Sequence, residues 1–149
     1  MTTTAPRVDS RVIGLAHHAL RAVLGRVLAP HGISFLQSVT LRLVSLADGP
    51  VERAALVASI VGTVKVAESD AERAVEDLAA AGLLAPEGAS LLRLTDAGRA
   101  VYTTSSTEAA TVSARLYAGV SEEDRAVTGR VLALLTERAD AELAGLRKQ

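Results

Sequence analysis

Two histidines stand side by side at positions 17 and 18, and a third stands at 31. Side by side on one helix they point about 100° apart, so they cannot share a metal as an i, i+4 pair does. No further histidine or carboxylate falls near them in sequence. One reading places one of them at a subunit interface and leaves the other partly exposed. Another makes His17 or His18, with Arg21, Arg42 or Tyr102, the lining of a pocket for an acidic or phenolic small molecule, because an imidazole and a guanidinium both donate to such groups. His31, in Pro-His-Gly, reads as a loop residue. The chain has no cysteine, which excludes disulfides, thiolate metal sites and a thiol nucleophile. No Ser–His–Asp order, phosphate-cradling loop or glycine-rich dinucleotide turn is present, so neither an enzyme, a metal site nor a cofactor is expected.

The remaining candidates are charged. The stretch ESDAERAVEDLAAAGLL, residues 68–84, holds the acids Glu68, Asp70, Glu72, Glu76 and Asp77 against one base, Arg73. Residues 51–100 as a whole carry eight acids and five bases, whereas residues 1–50 carry five bases and two acids. The net charge of −1 gives no overall basic footprint of the kind a strong nucleic-acid binder shows.

The elements that hold these residues follow from periodicity. Apolar residues at 12, 13, 16, 19, 20, 23, 24, 27 and 28 mark one face of a helix, which Pro30 and Gly32 stop. Ser34 is placed to cap a second helix over 34–47, and Asp48-Gly49-Pro50 is a turn. A third helix is expected over 51–61, broken by Gly62 and the β-branched Thr63, Val64 and Val66. A fourth spans about 69–81, with Ser69 and Glu72 as a capping box and Gly82 as its left-handed terminator. Its spacing buries Ala71, Ala74, Val75 and Leu78 and turns the acids outward. Asp70, Glu76 and Asp77 lie at i−3, i+3 and i+4 from Arg73 and are placed to pair with it. Leu83-Leu84-Ala85 and Ser90–Thr95 read as two short strands around a tight Pro86-Glu87-Gly88-Ala89 turn. Long helices follow, from Thr95 or Asp96 to about 118 and from 122 to 146, the second capped by Ser121. With aromatic residues at 2% the core must be built from Leu, Val and Ala, which favours helices.

Two short helices, a reading helix and a β-hairpin make a winged helix-turn-helix. The fold expected is mainly α with a small β-hairpin wing, flanked by long N- and C-terminal dimerisation helices. Its parts are a flexible N-terminus over 1–10, helical dimerisation regions over 11–33 and 96–149, and a winged lobe over 34–95. The flanking stripes, including Val112, Leu116, Val131, Leu132, Leu134 and Leu135, read as the core of a dimer.

Three segments carry a closer likeness: LAPHGISFLQSVTLRLV, VEDLAAAGLL and LRLTDAGRAVY. Leu-spacer-Gly-Leu-Leu followed within a dozen residues by Leu-Thr-x-x-Gly-Arg resembles the MarR family of bacterial transcription regulators, over nearly the whole chain. The resemblance implies a homodimer that binds pseudo-palindromic promoter DNA, often released by a small aromatic or phenolic effector. It also implies that Thr95 and Gly98 open a dimerisation helix. The chain departs from the family in its acidic reading helix and in a wing tip that lacks the usual Asp-x-Arg. DNA contacts therefore fall to Arg53, Thr63, Lys65, Ser69, Arg73 and Arg93. Arg99 either ties the long helix to the lobe or meets a phosphate. A ligand-responsive repressor is expected. The alternative is a ligand-sensing or protein-docking module on the same scaffold with weak or lost operator binding. The longest apolar runs fall short of a membrane span, and MTTTAPRVDS lacks the apolar core of a secretory signal. A cytoplasmic protein without a membrane partner is expected.

Overall fold

The computed structural model describes residues 4–148, so the first three residues of the N-terminal tail lie outside the described residues. Thr4–Asp9 carries no regular structure. The described chain divides between Thr111 and Val112 into two compact units.

In the first unit α1 (Ser10–Leu28) opens on an Asp9 cap, whose Oδ1 accepts from Val12 N at 2.8 Å. It passes into a 3₁₀ turn, Ala29–His31, closed by Gly32 at φ 70°. The stretch Ser10–His31 is by length and composition apolar enough to cross a membrane. It nevertheless carries Arg11, Arg21 and Arg26, and its Leu28 end is buried in the core. α2 (Phe35–Leu46) starts on a complete capping box: Ser34 Oγ accepts from Gln37 N, and Gln37 Oε1 accepts from Ser34 N at 2.9 Å.

The next element differs from expectation. Val51–Glu52 forms a strand, β1, and α3 (Arg53–Val64) begins only after it. The Glu52 carboxylate caps α3 by accepting from Ala54 N and Ala55 N. Gly62, Thr63 and Val64 do not break the helix; it ends at Lys65, which takes the left-handed conformation at φ 60°. α4 (Glu68–Ala80) also begins one residue earlier than its apparent cap. Ala67 is the N-cap and supplies no side-chain bond, so Ser69 and Glu72 form no capping box. Val66 packs against the core. Seating that side chain fixes where α4 enters, and this outweighs a cap worth about 1 kcal/mol.

α4 ends in a Schellman motif. Gly82 N donates to Ala79 O, Leu83 N donates to Leu78 O, and Gly82 sits at φ 75°. β2 (Leu84–Glu87) and β3 (Leu91–Leu94) then pair antiparallel, with Leu84 opposite Leu94 and Glu87 opposite Leu91. Pro86 and Glu87 thus belong to the strand, and the tip is Gly88-Ala89-Ser90. β1 adds to the other side of β3 in the order β1-β3-β2, so the wing is a three-stranded sheet rather than a hairpin alone. Pro86 is tolerated because β2 is an edge strand.

The core of this unit joins α2, α3, α4 and the sheet. Leu41, Ile60, Leu78, Leu84, Val75 and Thr40 are its largest fully buried side chains. Each aliphatic member contributes about 1.5–3 kcal/mol by burial. The Thr40 hydroxyl is satisfied by donating to Leu36 O at 2.8 Å. α5 (Asp96–Leu116) starts in this unit and runs on beyond it.

The second unit contains the end of α5, a turn through Gly119 at φ 80°, and α6 (Glu122–Leu146). Ser121 Oγ caps α6 by accepting from Asp124 N. No residue of this 25-residue helix is buried.

Candidate nucleic-acid interface

The outward face of α4 is formed as its spacing predicts. Ala71, Ala74, Val75 and Leu78 are buried, while Glu68, Asp70, Glu72, Glu76 and Asp77 are exposed. The partnering differs from expectation. Among the described residues Arg73 makes no ion pair with Asp70, Glu76 or Asp77. Glu76 instead reaches across to α3, where its Oε1 lies 3.4 Å from Arg53 Nη2. The inter-helix pair forms because Arg53 is the first residue of α3 and the core packs α3 against α4. The pair is open to solvent on both sides and contributes at most about 1 kcal/mol. Its electrostatic effect is local: Glu76 offsets a cation assigned to DNA.

The remaining expected contact residues distribute as follows. Thr63 is exposed at the end of α3, and Ser69 is exposed in the first turn of α4. Lys65 Nζ donates to Gly62 O. Arg93 lies on β3 opposite Ala85, on the face away from the buried Leu92 and Leu94. There it lines a notch of about 220 Å³ with Arg99, Glu87 and the turn through Gly49 and Pro50. Arg93 and Arg99 are therefore brought together at the root of the wing, while its tip bears no base.

The wing is tied to α5 by Thr95. Its Oγ1 donates to Gly82 O at 2.7 Å, also lies 3.1 Å from Leu83 O, and accepts from Gly98 N at 2.9 Å. Gly98 is needed because α5 passes against the backbone: a Cβ there would sit 2.0 Å from Leu83 O. The Leu-Thr-x-x-Gly pattern is thus a latch between the end of α4 and the start of α5.

The residues assigned to an effector pocket lie on α1, α2 and α5. His17 and His18 are exposed on α1 with ring centroids 5.5 Å apart, and Arg42 is exposed on α2. Tyr102 is half-buried against the core. Arg21 lines a cleft of about 310 Å³ bounded by α1, the start of α2, the end of α3 and α4, and the other four do not line it. Its guanidinium stacks over the Phe35 ring at 4.4 Å from the centroid. Gln37, Asp70, Arg73 and Asp77 share the cleft. Neither Gln37, which also closes the α2 cap, nor the acids were assigned to a ligand from sequence. Their gathering depends on helix packing that spacing within one helix does not report. His31, read as a loop residue, lies in the 3₁₀ turn and contacts Glu108 of α5 at 2.9 Å. Among the described residues no group of three histidines or carboxylates is placed to hold a metal ion.

No protein-family model matches the sequence, and no curated protein matches it. Solved structures do. The transcriptional regulator MosR of Mycobacterium tuberculosis shares 26% identity with this chain, with 91% of this chain and 97% of that one covered and a TM-score of 0.71. The MarR family protein Rv2887 of Mycobacterium tuberculosis, in complex with DNA, shares 23% identity, covering 89% and 98% with a TM-score of 0.68. CouR from Rhodococcus jostii RHA1, bound to p-coumaroyl-CoA, shares 15% identity, covering 84% and 88% with a TM-score of 0.71. With the buried stripe of α4, the three-stranded wing and the Thr95–Gly98 latch, these matches establish that the chain has the winged helix-turn-helix fold of the MarR family of transcription regulators.

Proposed function

We propose that this protein is a cytoplasmic, homodimeric DNA-binding transcription regulator, a repressor whose hold on promoter DNA is relieved by a small molecule. The observation that carries this reading is the reading-helix geometry. α4 is anchored by a fully apolar stripe and presents a continuous polar face beside a wing. In such a regulator Ser69 and Arg73 meet the major groove, and Thr63, Lys65, Arg53 and Arg93 meet phosphates. Self-association is supported by α6: Val127, Leu132, Leu134, Leu135, Leu143 and Leu146 are all between 39% and 64% exposed. A helix of this length with nothing buried needs a partner to hold it, and a second copy supplies the same apolar face. The p-coumaroyl-CoA complex of CouR supports response to a small molecule, and the DNA complex of Rv2887 supports operator binding.

A second reading has its own support: a module on this scaffold that senses a ligand or docks a protein and no longer holds an operator. Five exposed acids on α4, Arg53 offset by Glu76 and a wing tip without a base all weaken attraction to phosphate. One titration separates the two. DNA from upstream of the protein's own gene is bound across a salt series. If three to four cations per subunit contact phosphates, log affinity falls with log salt at a slope of about −5 to −7. A sequence-specific complex with that slope ends the second reading. Absence of binding at about 50 mM salt ends the first. Light scattering that gives a monomer overturns the dimer.

A further inference from the structure

We propose, resting on the DNA-binding reading above, that Arg93 and Arg99 together hold one phosphodiester of the DNA backbone in the notch at the root of the wing.

The sequence leaves Arg99 two roles, and the structure separates them. The tie between α5 and the lobe is made by Thr95 and by the close approach at Gly98. Arg99 joins it only through its backbone, donating from N to Thr95 O. Among the described residues the guanidinium groups of Arg93 and Arg99 make no ion pair and no hydrogen bond. Both side chains are exposed, and both line the notch of about 220 Å³. Two cations set side by side repel each other, and an anion between them relieves that cost. Guanidinium groups take phosphate oxygens through paired N–H donors.

The rest of the lining selects the anion. Glu87 shares the notch, and α2 ends in its wall at Val44, Ser45 and Ala47, where a helix C-terminus carries about half a negative charge. Two cations against Glu87 leave a net charge that matches one negative charge and opposes a second. A phosphodiester carries one, whereas a phosphate monoester at neutral pH carries roughly 1.5–2. The same balance makes both arginines necessary, because losing either brings the side chains of the notch to zero net charge.

The position in the fold suits a backbone contact. Gly49 and Pro50 form another wall and lead into β1 and then Arg53. Arg53 N donates to Ser90 O, which joins the start of α3 to the wing tip. The tip, Gly88-Ala89-Ser90, brings no base, and Arg93 follows it by three residues, roughly 10 Å along the strand. The root therefore supplies the cationic contact that the tip lacks.

Fluorescence anisotropy tests this with the full-length protein, on a labelled duplex from upstream of its own gene and on an unrelated duplex of equal length. Arg99→Gln should weaken both complexes equally, by at least about tenfold at about 0.1 M salt, and make the salt slope shallower by about two units, one per subunit. Arg93→Gln should do the same, and the double variant should lose little more than either alone. Arg99→Lys, which keeps the charge, should recover most of the slope, and so should Glu87→Gln placed in the Arg99→Gln protein. None of these exposed substitutions should move Tm without DNA by more than about 2 °C. A parental slope in Arg99→Gln, or a Tm lowered beyond that limit, returns Arg99 to a scaffold role and overturns the proposal. Losses that add in the double variant mean two separate phosphates and overturn the shared site. Inorganic phosphate at about 5 mM, exchanged for chloride at constant ionic strength, should leave the complex within about twofold. Displacement of DNA that disappears in Arg93→Gln would assign the notch to a free phosphate instead. A parent protein that binds no DNA fails the regulator reading and this proposal with it. A parent that binds, matched by its Arg99→Gln variant, fails this proposal alone.

Discussion

Substituting Gly98 by alanine should damage the fold far more than a single methyl group normally does. The added Cβ would lie 2.0 Å from Leu83 O, 2.9 Å from Leu83 C and 2.9 Å from Leu94 Cδ1. The first two obstacles are backbone, so no rotamer change relieves them. The start of α5 must move from β2 by roughly 1 Å, and overpacking of this kind costs about 1–3 kcal/mol. The movement also strains the Thr95 latch. Thr95 Oγ1 to Gly82 O is 2.7 Å, Gly98 N to Thr95 Oγ1 is 2.9 Å, and Thr95 N to Leu83 O is 3.2 Å. Losing one or two of these adds about 1 kcal/mol each. The total is roughly 2–5 kcal/mol, which for a chain of this size lowers Tm by about 6–15 °C. Circular dichroism melts at one fixed protomer concentration measure it, which holds constant any contribution a dimer would make to Tm. Gly62→Ala is the control: it is helical with nothing within 4 Å of the new Cβ, and should be neutral or stabilising by up to about 1 kcal/mol. A Gly98→Ala protein that melts within about 2 °C of the parent, under 1 kcal/mol, refutes the close-approach argument.

Three further outcomes are expected. Ser34→Ala opens the α2 capping box and should lower stability by about 1 kcal/mol in a urea titration, with an unchanged m-value. Glu76→Gln removes an acid from α4 and frees Arg53; if the protein binds an operator as a dimer, affinity at low salt should rise several-fold and the salt slope should steepen by up to about two units, one per subunit. Leu135→Glu places a charge on the exposed apolar face of α6 and should shift light scattering from dimer to monomer; a dimer that persists would remove this face from the interface.

Much of this arrangement was legible in the sequence. The 3.6-residue spacing of Ala71, Ala74, Val75 and Leu78 named the buried face of α4 and so the outward acids. Gly82 marked the Schellman turn, because only a residue without a Cβ takes φ 75° readily. The run Leu-Thr-x-x-Gly placed the start of α5 and suggested the family. β1 was not legible: two residues, Val51 and Glu52, are too few to show alternation, and they become a strand only because β3 lies beside them. The end of α3 was misplaced because Gly62, Thr63 and Val64 have weak intrinsic helix preference, which packing overrides.

The sequence by itself determined the order of helices, the wing and the acidity of the reading helix, since periodicity, caps and charge are local properties. Tertiary structure decided who faces whom. It paired Glu76 with Arg53 rather than Arg73, set Arg93 beside Arg99, and gathered Arg21, Gln37, Asp70, Arg73 and Asp77 around one cleft while His17, His18 and Arg42 stayed outside it. Each of these turns on the packing of separate elements around a common core. Spacing along one chain carries no record of that packing.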